Sequence, residues 1–295
     1  MPGEFDFISW IRSQQRPSEL AQLSSGDDLA ILKWKADDLL LVGVDQVLDT
    51  VHFDSRVHSP RSIGAKVMNR NLSDCAAMAC LPAAAVATVA LPRGISMDYA
   101  KELYLGMKEA GDIFDCQVVG GDTATWDGKL AMTLSILGRS AGIRPITRGS
   151  AKPGDRIYVT GPLGGSSAGR HMTFQPRVHL ARELASKYKL TAMIDLSDGL
   201  SRDLGHICEE SKVGALINAK LLPLHKDIDD VQKSGWRTID HAVHEGEDYE
   251  LLFTAPACDH PQVIMIGDIR AEPGIDWIID SEQTRLEPKG WEHEI

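Results

Sequence analysis

The sequence predicts an α+β protein of two domains, residues 1–145 and 146–295, on three observations. The chain has 295 residues, more than one small module needs and enough for two compact cores. Apolar runs of strand length recur among stretches of helical period, giving each half several strands and two or so helices. Residues 142–154, rich in Gly, Pro, Arg and Lys, punctuate the chain between the halves.

The elements follow in order. Residues 4–23 read as an amphipathic helix, with Phe7, Ile8 and Ile11 at helical spacing. Residues 29–32 and 39–44 read as strands, the second ending at Asp45. Ser59-Pro60 opens a long helix by N-cap and N1-proline chemistry. Its stripe Gly64, Met68, Leu72, Cys75, Ala79 marks one buried face, and Asn71 and Asp74 share a second. A strand over residues 84–91 stops at Pro92, residues 96–111 are helical, and 117–119 form a strand running into Gly120-Gly121-Asp122-Thr123. Another strand covers 130–137. In the second half, strands are expected at 156–160, 192–196, 250–254 and 262–266. The helix after Ser197-Asp198-Gly199 buries Leu200, Leu204 and Ile207.

Composition narrows the function classes. Hydrophobic residues make up 43% and charged residues 25%, a globular mixture that excludes disorder. The net charge of −11 offers no footprint for duplex nucleic acid or anionic membrane. Five cysteines without C-x-x-C or zinc spacing fit core thiols in a reducing compartment. The acidic N-terminus lacks an apolar signal core, and the alanine-rich stretch 75–91 is too mild to span a bilayer. A cytoplasmic location is expected.

Aspartates recur where apolar runs end: Asp45, Asp122 and Asp195, with Asp198 just beyond, Asp27-Asp28 before a strand and Asp74 beside Asn71. A carboxylate held by a sheet can reach into a cleft, and several together require hard cations such as Mg²⁺. Each aspartate taken alone is more commonly a turn or an N-cap. Gly161-Pro162-Leu163-Gly164-Gly165-Ser166-Ser167 has the composition of a phosphate cradle but matches neither a P-loop nor a dinucleotide fingerprint. No nucleophile pattern stands out, so no covalent catalytic residue is expected.

One further signal is the order of the motifs. Gly26-Asp27-Asp28, Val44-Asp45 with Val51-His52-Phe53, and Asn71-Leu72-Ser73-Asp74-Cys75-Ala76-Ala77-Met78 come first. Val119-Gly120-Gly121-Asp122-Thr123, Thr147-Arg148 and Ala151-Lys152-Pro153-Gly154-Asp155 follow. Ile194-Asp195-Leu196-Ser197-Asp198-Gly199-Leu200, Gly246-Glu247-Asp248-Tyr249-Glu250-Leu251 and Glu287-Pro288-Lys289-Gly290-Trp291 close the set. Across nearly the whole chain this order resembles the thiamine-monophosphate kinase family of the aminoimidazole-ribonucleotide-synthetase-like superfamily.

The resemblance implies ATP-dependent phosphorylation of thiamine monophosphate by direct transfer, with several Mg²⁺ ions. It implies metal positions at Asp28, Val44, Asp45, Asp74, Asp122, Asp195 and Asp198, and ATP positions at Tyr104, Gly121, Asp122, Arg148 and Ser197. Substrate positions fall on His52, Glu247 and Trp291, the indole being suited to stack on a cationic thiazolium. The implied fold is a homodimer whose N-terminal strands join those of a second subunit in a barrel, with an α+β C-terminal domain. The chain departs from the family in having Gly43-Val44 for two hydroxyl residues, Asp49-Thr50 for Glu-Gly, and Glu245 for a glycine. The segment 169–176 is also short. The alternative is a catalytically weakened or substrate-shifted member that binds nucleotide or thiamine phosphate, against which stand carboxylates at all six aspartate positions. A selenophosphate synthetase would carry an early cysteine, and the first here is Cys75; a hydrogenase-maturation relative would end in one, and this chain ends in Ile295.

Overall fold

In the computed structural model the described residues are 4–16, 19–23, 31–231 and 235–291. The chain divides into two compact units, Met1–Cys75 with Cys80–Gly142, and Ala76–Ala79 with Ile143–Ile295.

The N-terminal unit contains α1 (Glu4–Gln14), β1 (Ala21–Leu23), β2 (Ile31–Leu32), β3 (Leu40–Leu48), α2 (Pro60–Ala77), β4 (Leu81–Pro92), α3 (Met97–Asp112), β5 (Gln117–Trp126) and β6 (Ala131–Arg139). Four strands form an open sheet in the order β3-β6-β4-β5. Only β4 and β5 run parallel, joined by α3 as the crossover such a pair requires. Ser96 caps α3 by accepting the Tyr99 N–H at 3.1 Å. α2 and α3 meet backbone to backbone. A side chain at Gly64 would overlap the Leu103 carbonyl, and one at Gly106 would overlap that of Arg61. Ile63, Val67, Met68 and Leu72 of α2 are fully buried, as are Leu134 and Ile136 of the sheet's inner face.

Several sequence expectations shift here. The first helix stops at Gln14, ahead of Pro17, and 21–23 is a strand. Ala79 lies past the end of α2 with φ +52°, although it is buried with the predicted stripe. Asp45 and Asp122 do not end their strands: β3 continues to Leu48 and β5 to Trp126. β3 alternates between faces and β5 runs from buried into exposed residues, so polar residues belong to both strands and apolar continuity does not mark their ends.

The C-terminal unit contains β7 (Arg156–Val159), α4 (Val178–Lys187), β8 (Ala192–Asp195), α5 (Leu200–Ser211), β9 (Gly214–Asn218), α6 (Thr238–His244), β10 (Leu251–Ala255), β11 (Ile264–Arg270), β12 (Gly274–Ile279) and β13 (Glu282–Arg285). Its sheet has seven strands, β13-β12-β9-β11-β7-β10-β8, all pairs antiparallel except β12 with β9. Leu200, Leu204 and Ile207 of α5 bury completely in one core cluster with Ile157, Val159 and Leu252, as their i, i+4, i+7 spacing predicts. Among the described residues no helix is long and apolar enough to cross a membrane. All five cysteines are free, four of them buried.

Candidate active site

Backbone pairing assembles a group of predicted residues in the C-terminal unit. β8 ends at Asp195, which is buried, and the chain turns through Ser197 and Asp198 before α5 begins. Three hydrogen bonds lay the Gly246 to Glu250 segment along this turn. They are Leu196 N–H to Glu250 O, Glu247 N–H to Ser197 O, and Tyr249 N–H to Leu196 O, each 2.8 Å. A fourth bond, Trp291 N–H to Asp198 O at 3.0 Å, brings in the chain's far end. The close approach depends on Gly290, where a Cβ would overlap the Asp198 carbonyl. Asp195, Ser197, Asp198, Glu247 and the half-exposed Trp291 therefore converge on one turn.

Carboxylates crowd at that turn. Asp203, which was not singled out from the sequence, reaches back from the first turn of α5 and accepts the Asp198 and Gly199 N–H groups, both at 3.1 Å. That is cap chemistry, and an aspartate in the first turn of a helix was its only sequence signal. Burial, and then the charges of Asp198 and Asp195, push the Asp203 carboxyl well above the usual range. Asp198, Asp203 and His206 each offer an atom within 4.8 Å of the others. Two carboxylates that repel one another suit a hard divalent cation such as Mg²⁺, with the His206 imidazole beside them.

The glycine-rich stretch is not a free phosphate cradle. Its amides are taken by the protein's own carboxylates: Gly164 N–H donates to Asp248 at 3.0 Å, and Gly165 and Ser167 N–H donate to Glu245 at 3.1 and 2.9 Å. Ser166 Oγ–H donates to the Gly246 carbonyl at 2.6 Å, and Arg170 donates to Asp248 at 2.8 Å. Burial raises the Asp248 carboxyl to about 7 while Arg170 and the Gly164 N–H pull it down. Beyond this, Arg177 holds Glu250 through two bonds of 2.8 and 2.5 Å, and Phe174 stacks on Tyr249 with centroids 3.8 Å apart.

Arg148 is tied elsewhere in the unit. Its carbonyl accepts the Ser211 hydroxyl at 2.8 Å, at the end of α5 opposite Asp198.

In the N-terminal unit the predicted residues occupy two faces of the four-stranded sheet. Asp45 faces α2, where Arg70 donates to both its oxygens at 3.1 and 3.3 Å. Asp74 of α2 comes to the same face, its Oδ2 3.9 Å from where a Cβ on Gly43 would stand. Asp122 lies in register with Thr88, Thr133 and Gln46, a row on the opposite, open face. Val44 also points outward, 62% exposed. Gly121 packs where a side chain would overlap the Ala87 carbonyl. Tyr104 is buried edge-on to Trp10 at 5.7 Å, and burial pushes its hydroxyl up to about 12. His52 accepts the Leu48 N–H through Nδ1 at 3.1 Å. Asp28 lies outside the described residues.

Comparison with known proteins places the chain among relatives. Residues 26–140 match the family described as AIR synthase related protein, N-terminal domain. The chain is 35% identical to a thiamine-monophosphate kinase of Rhodopirellula baltica, over 98% of its own length and 97% of that protein. The crystal structure of the thiamine-monophosphate kinase of Stenotrophomonas maltophilia superposes with a TM-score of 0.81 at 30% identity, over 95% of this chain and 97% of that one. The structure of AaThiL complexed with AMPPCP and TMP gives 0.79 at 30% identity, over 99% and 97%. The expected α+β architecture is shared with these structures.

Proposed function

The chain belongs to the thiamine-monophosphate kinase family, and from that premise we propose that it transfers the γ-phosphoryl group of ATP to thiamine monophosphate. The products are thiamine diphosphate and ADP. The observation that carries this reading is the turn at 195–198, to which backbone hydrogen bonds bring Glu247 and Trp291 beside Asp195, Ser197 and Asp198.

The acceptor is already an ionised phosphate, so no general base is required. One of its oxygens forms the new bond to the γ-phosphorus as the bond to the bridging β-phosphate oxygen breaks. The protein's task is positioning and charge control. On this reading Asp195 and Asp198 would hold Mg²⁺ in the C-terminal unit, and Asp28, Asp45, Asp74, Asp122 and the Val44 backbone would hold it in the N-terminal unit. Bound Mg²⁺ supplies charge neutralisation between two anionic reactants. Ser197, Arg148, Tyr104, Gly121 and Asp122 serve ATP, Arg148 by forked donation to phosphate oxygens. Glu247 and His52 serve the substrate, and Trp291 offers an indole face to the thiazolium cation.

The same reading makes the protein a homodimer. Leu40, Val42 and Val44 stand 52%, 71% and 62% exposed along one strand, with Val86 and Trp126 also exposed on this sheet. Apolar side chains lined up on an open sheet face call for a cover, and a second copy completing a barrel supplies one.

The test is incubation of purified protein with ATP, Mg²⁺ and thiamine monophosphate, followed by chromatography. Thiamine diphosphate is the expected product; its absence across a range of Mg²⁺ overturns the assignment.

A further inference from the structure

Glu245 stands where the family resemblance places a glycine, and its carboxylate is one of the most heavily engaged in the C-terminal unit. Oε1 accepts the Ser167 N–H at 2.9 Å and the Ser167 hydroxyl, while Oε2 accepts the Gly165 N–H at 3.1 Å and meets His241 Nδ1 at 3.0 Å. Only 10% of the side chain is exposed. Burial raises the carboxyl, but the Ser167, Gly165 and His241 contacts together bring it below the usual range, so it stays ionised. An anion therefore fills the amide bend as a phosphate would, and the anion is the protein's own.

The position of this clamp in the chain gives it a consequence. Glu245 immediately precedes Gly246 (φ +81°) and Glu247 (φ +54°), and Tyr249 (φ +51°) follows two residues on. Non-glycine residues in the left-handed region are strained and persist where their surroundings over-determine them. On one side the turn is pinned to Leu196 and Ser197. On the other it is pinned to the 164–167 bend, through Glu245 and through the Ser166 hydroxyl on the Gly246 carbonyl. The Tyr249 hydroxyl donates to Glu247 Oε1 at 3.3 Å, so the turn also orients the carboxylate itself.

We propose that Glu245 is a positioning residue: by binding the 164–167 bend it sets the strained turn that presents Glu247 to the thiamine monophosphate. This deepens the proposed function and rests on Glu247 contacting that substrate.

The test compares wild type, E245A, E245Q and E247Q in steady-state kinetics and in amide hydrogen exchange. In E245A the KM for thiamine monophosphate should rise about tenfold with the KM for ATP within about twofold, as expected when hydrogen bonds to one charged group are lost. The Gly165 and Ser167 amides should exchange more than about tenfold faster, while Gly164, held by Asp248, stays protected. E245Q keeps an oxygen for Ser167 and should fall between. An unchanged KM for thiamine monophosphate in E245A, or unchanged exchange at Gly165 and Ser167, overturns the proposal. If E247Q also leaves that KM unmoved, the substrate role of Glu247 fails and the proposal falls with it. If E247Q raises KM and E245A does not, only the positioning role is lost. Should E245A melt below assay temperature, S167A removes a hydroxyl from the same carboxylate; a rise of about threefold is expected, and no change overturns the proposal.

Discussion

The two sheets of this chain handle burial in different ways. In the C-terminal unit every residue of β8 and β10 is buried, and the expected functional groups hang from these strands through short backbone hydrogen bonds. In the N-terminal unit β3 alternates, its inner residues facing α2 and its outer apolar residues open to solvent. The comparison teaches that a fully packed sheet can hold several groups at one turn by itself. The half-open sheet spreads its aspartates over two faces and leaves apolar residues of one of them exposed.

The comparison can be broken first at the carboxylates. Asp198→Asn should lower kcat/KM for thiamine monophosphate by about a thousandfold, the scale of a lost electrostatic contact to a transferring phosphoryl group, with an unchanged melting temperature. Near-normal turnover would remove Asp198 from the machinery. Next is the packing contrast: Leu204→Ala should cost about 2–5 kcal/mol in a urea melt. On the open face, Val42→Ala should cost under about 0.5 kcal/mol in the monomer. Equal costs would erase the distinction between the sheets.

A finer cut concerns the open face itself. If the proposed homodimer forms through this face, Val44→Asp should shift it to monomer in analytical ultracentrifugation, because a charge is placed in an apolar contact. A stable dimer would move the interface elsewhere. The smallest effect is acid-sensitive. Glu245 is held below its usual pKa of 4.5, so its stabilisation is full above that value and lost as pH falls through the lower folded value. The stability gap between wild type and E245A, about 1 kcal/mol at pH 7, should close in urea melts as the pH falls from 4.5 through the lower folded value. A gap independent of pH would show that packing, and not the ionised carboxylate, supports the bend.

Much of the framework was legible in the residues. Ser59-Pro60 opens a helix one position later, and Leu200, Leu204 and Ile207 bury as one stripe, because capping and amphipathic period act within a few residues. The apolar run into Asp195 marks β8 for the same reason. Less legible was β13, exposed throughout, where no apolar run announces a strand. Nor was the filling of the glycine-rich bend by Glu245 and Asp248 visible, since those partners stand some eighty residues away.

The sequence by itself determined which side chains carry charge, where most helices and strands begin, and, through the order of its motifs, the family to which the chain belongs. Only the tertiary structure decided that Asp45 and Asp122 stand on opposite faces of one sheet. It also decided that Asp195, Ser197, Asp198, Glu247 and Trp291 share one turn, and that a glycine-rich stretch binds carboxylates already in the chain. The physical reason is range. Local preferences are settled between near neighbours, whereas strand register and the meeting of a carboxylate with an amide nest depend on how distant segments close on one another.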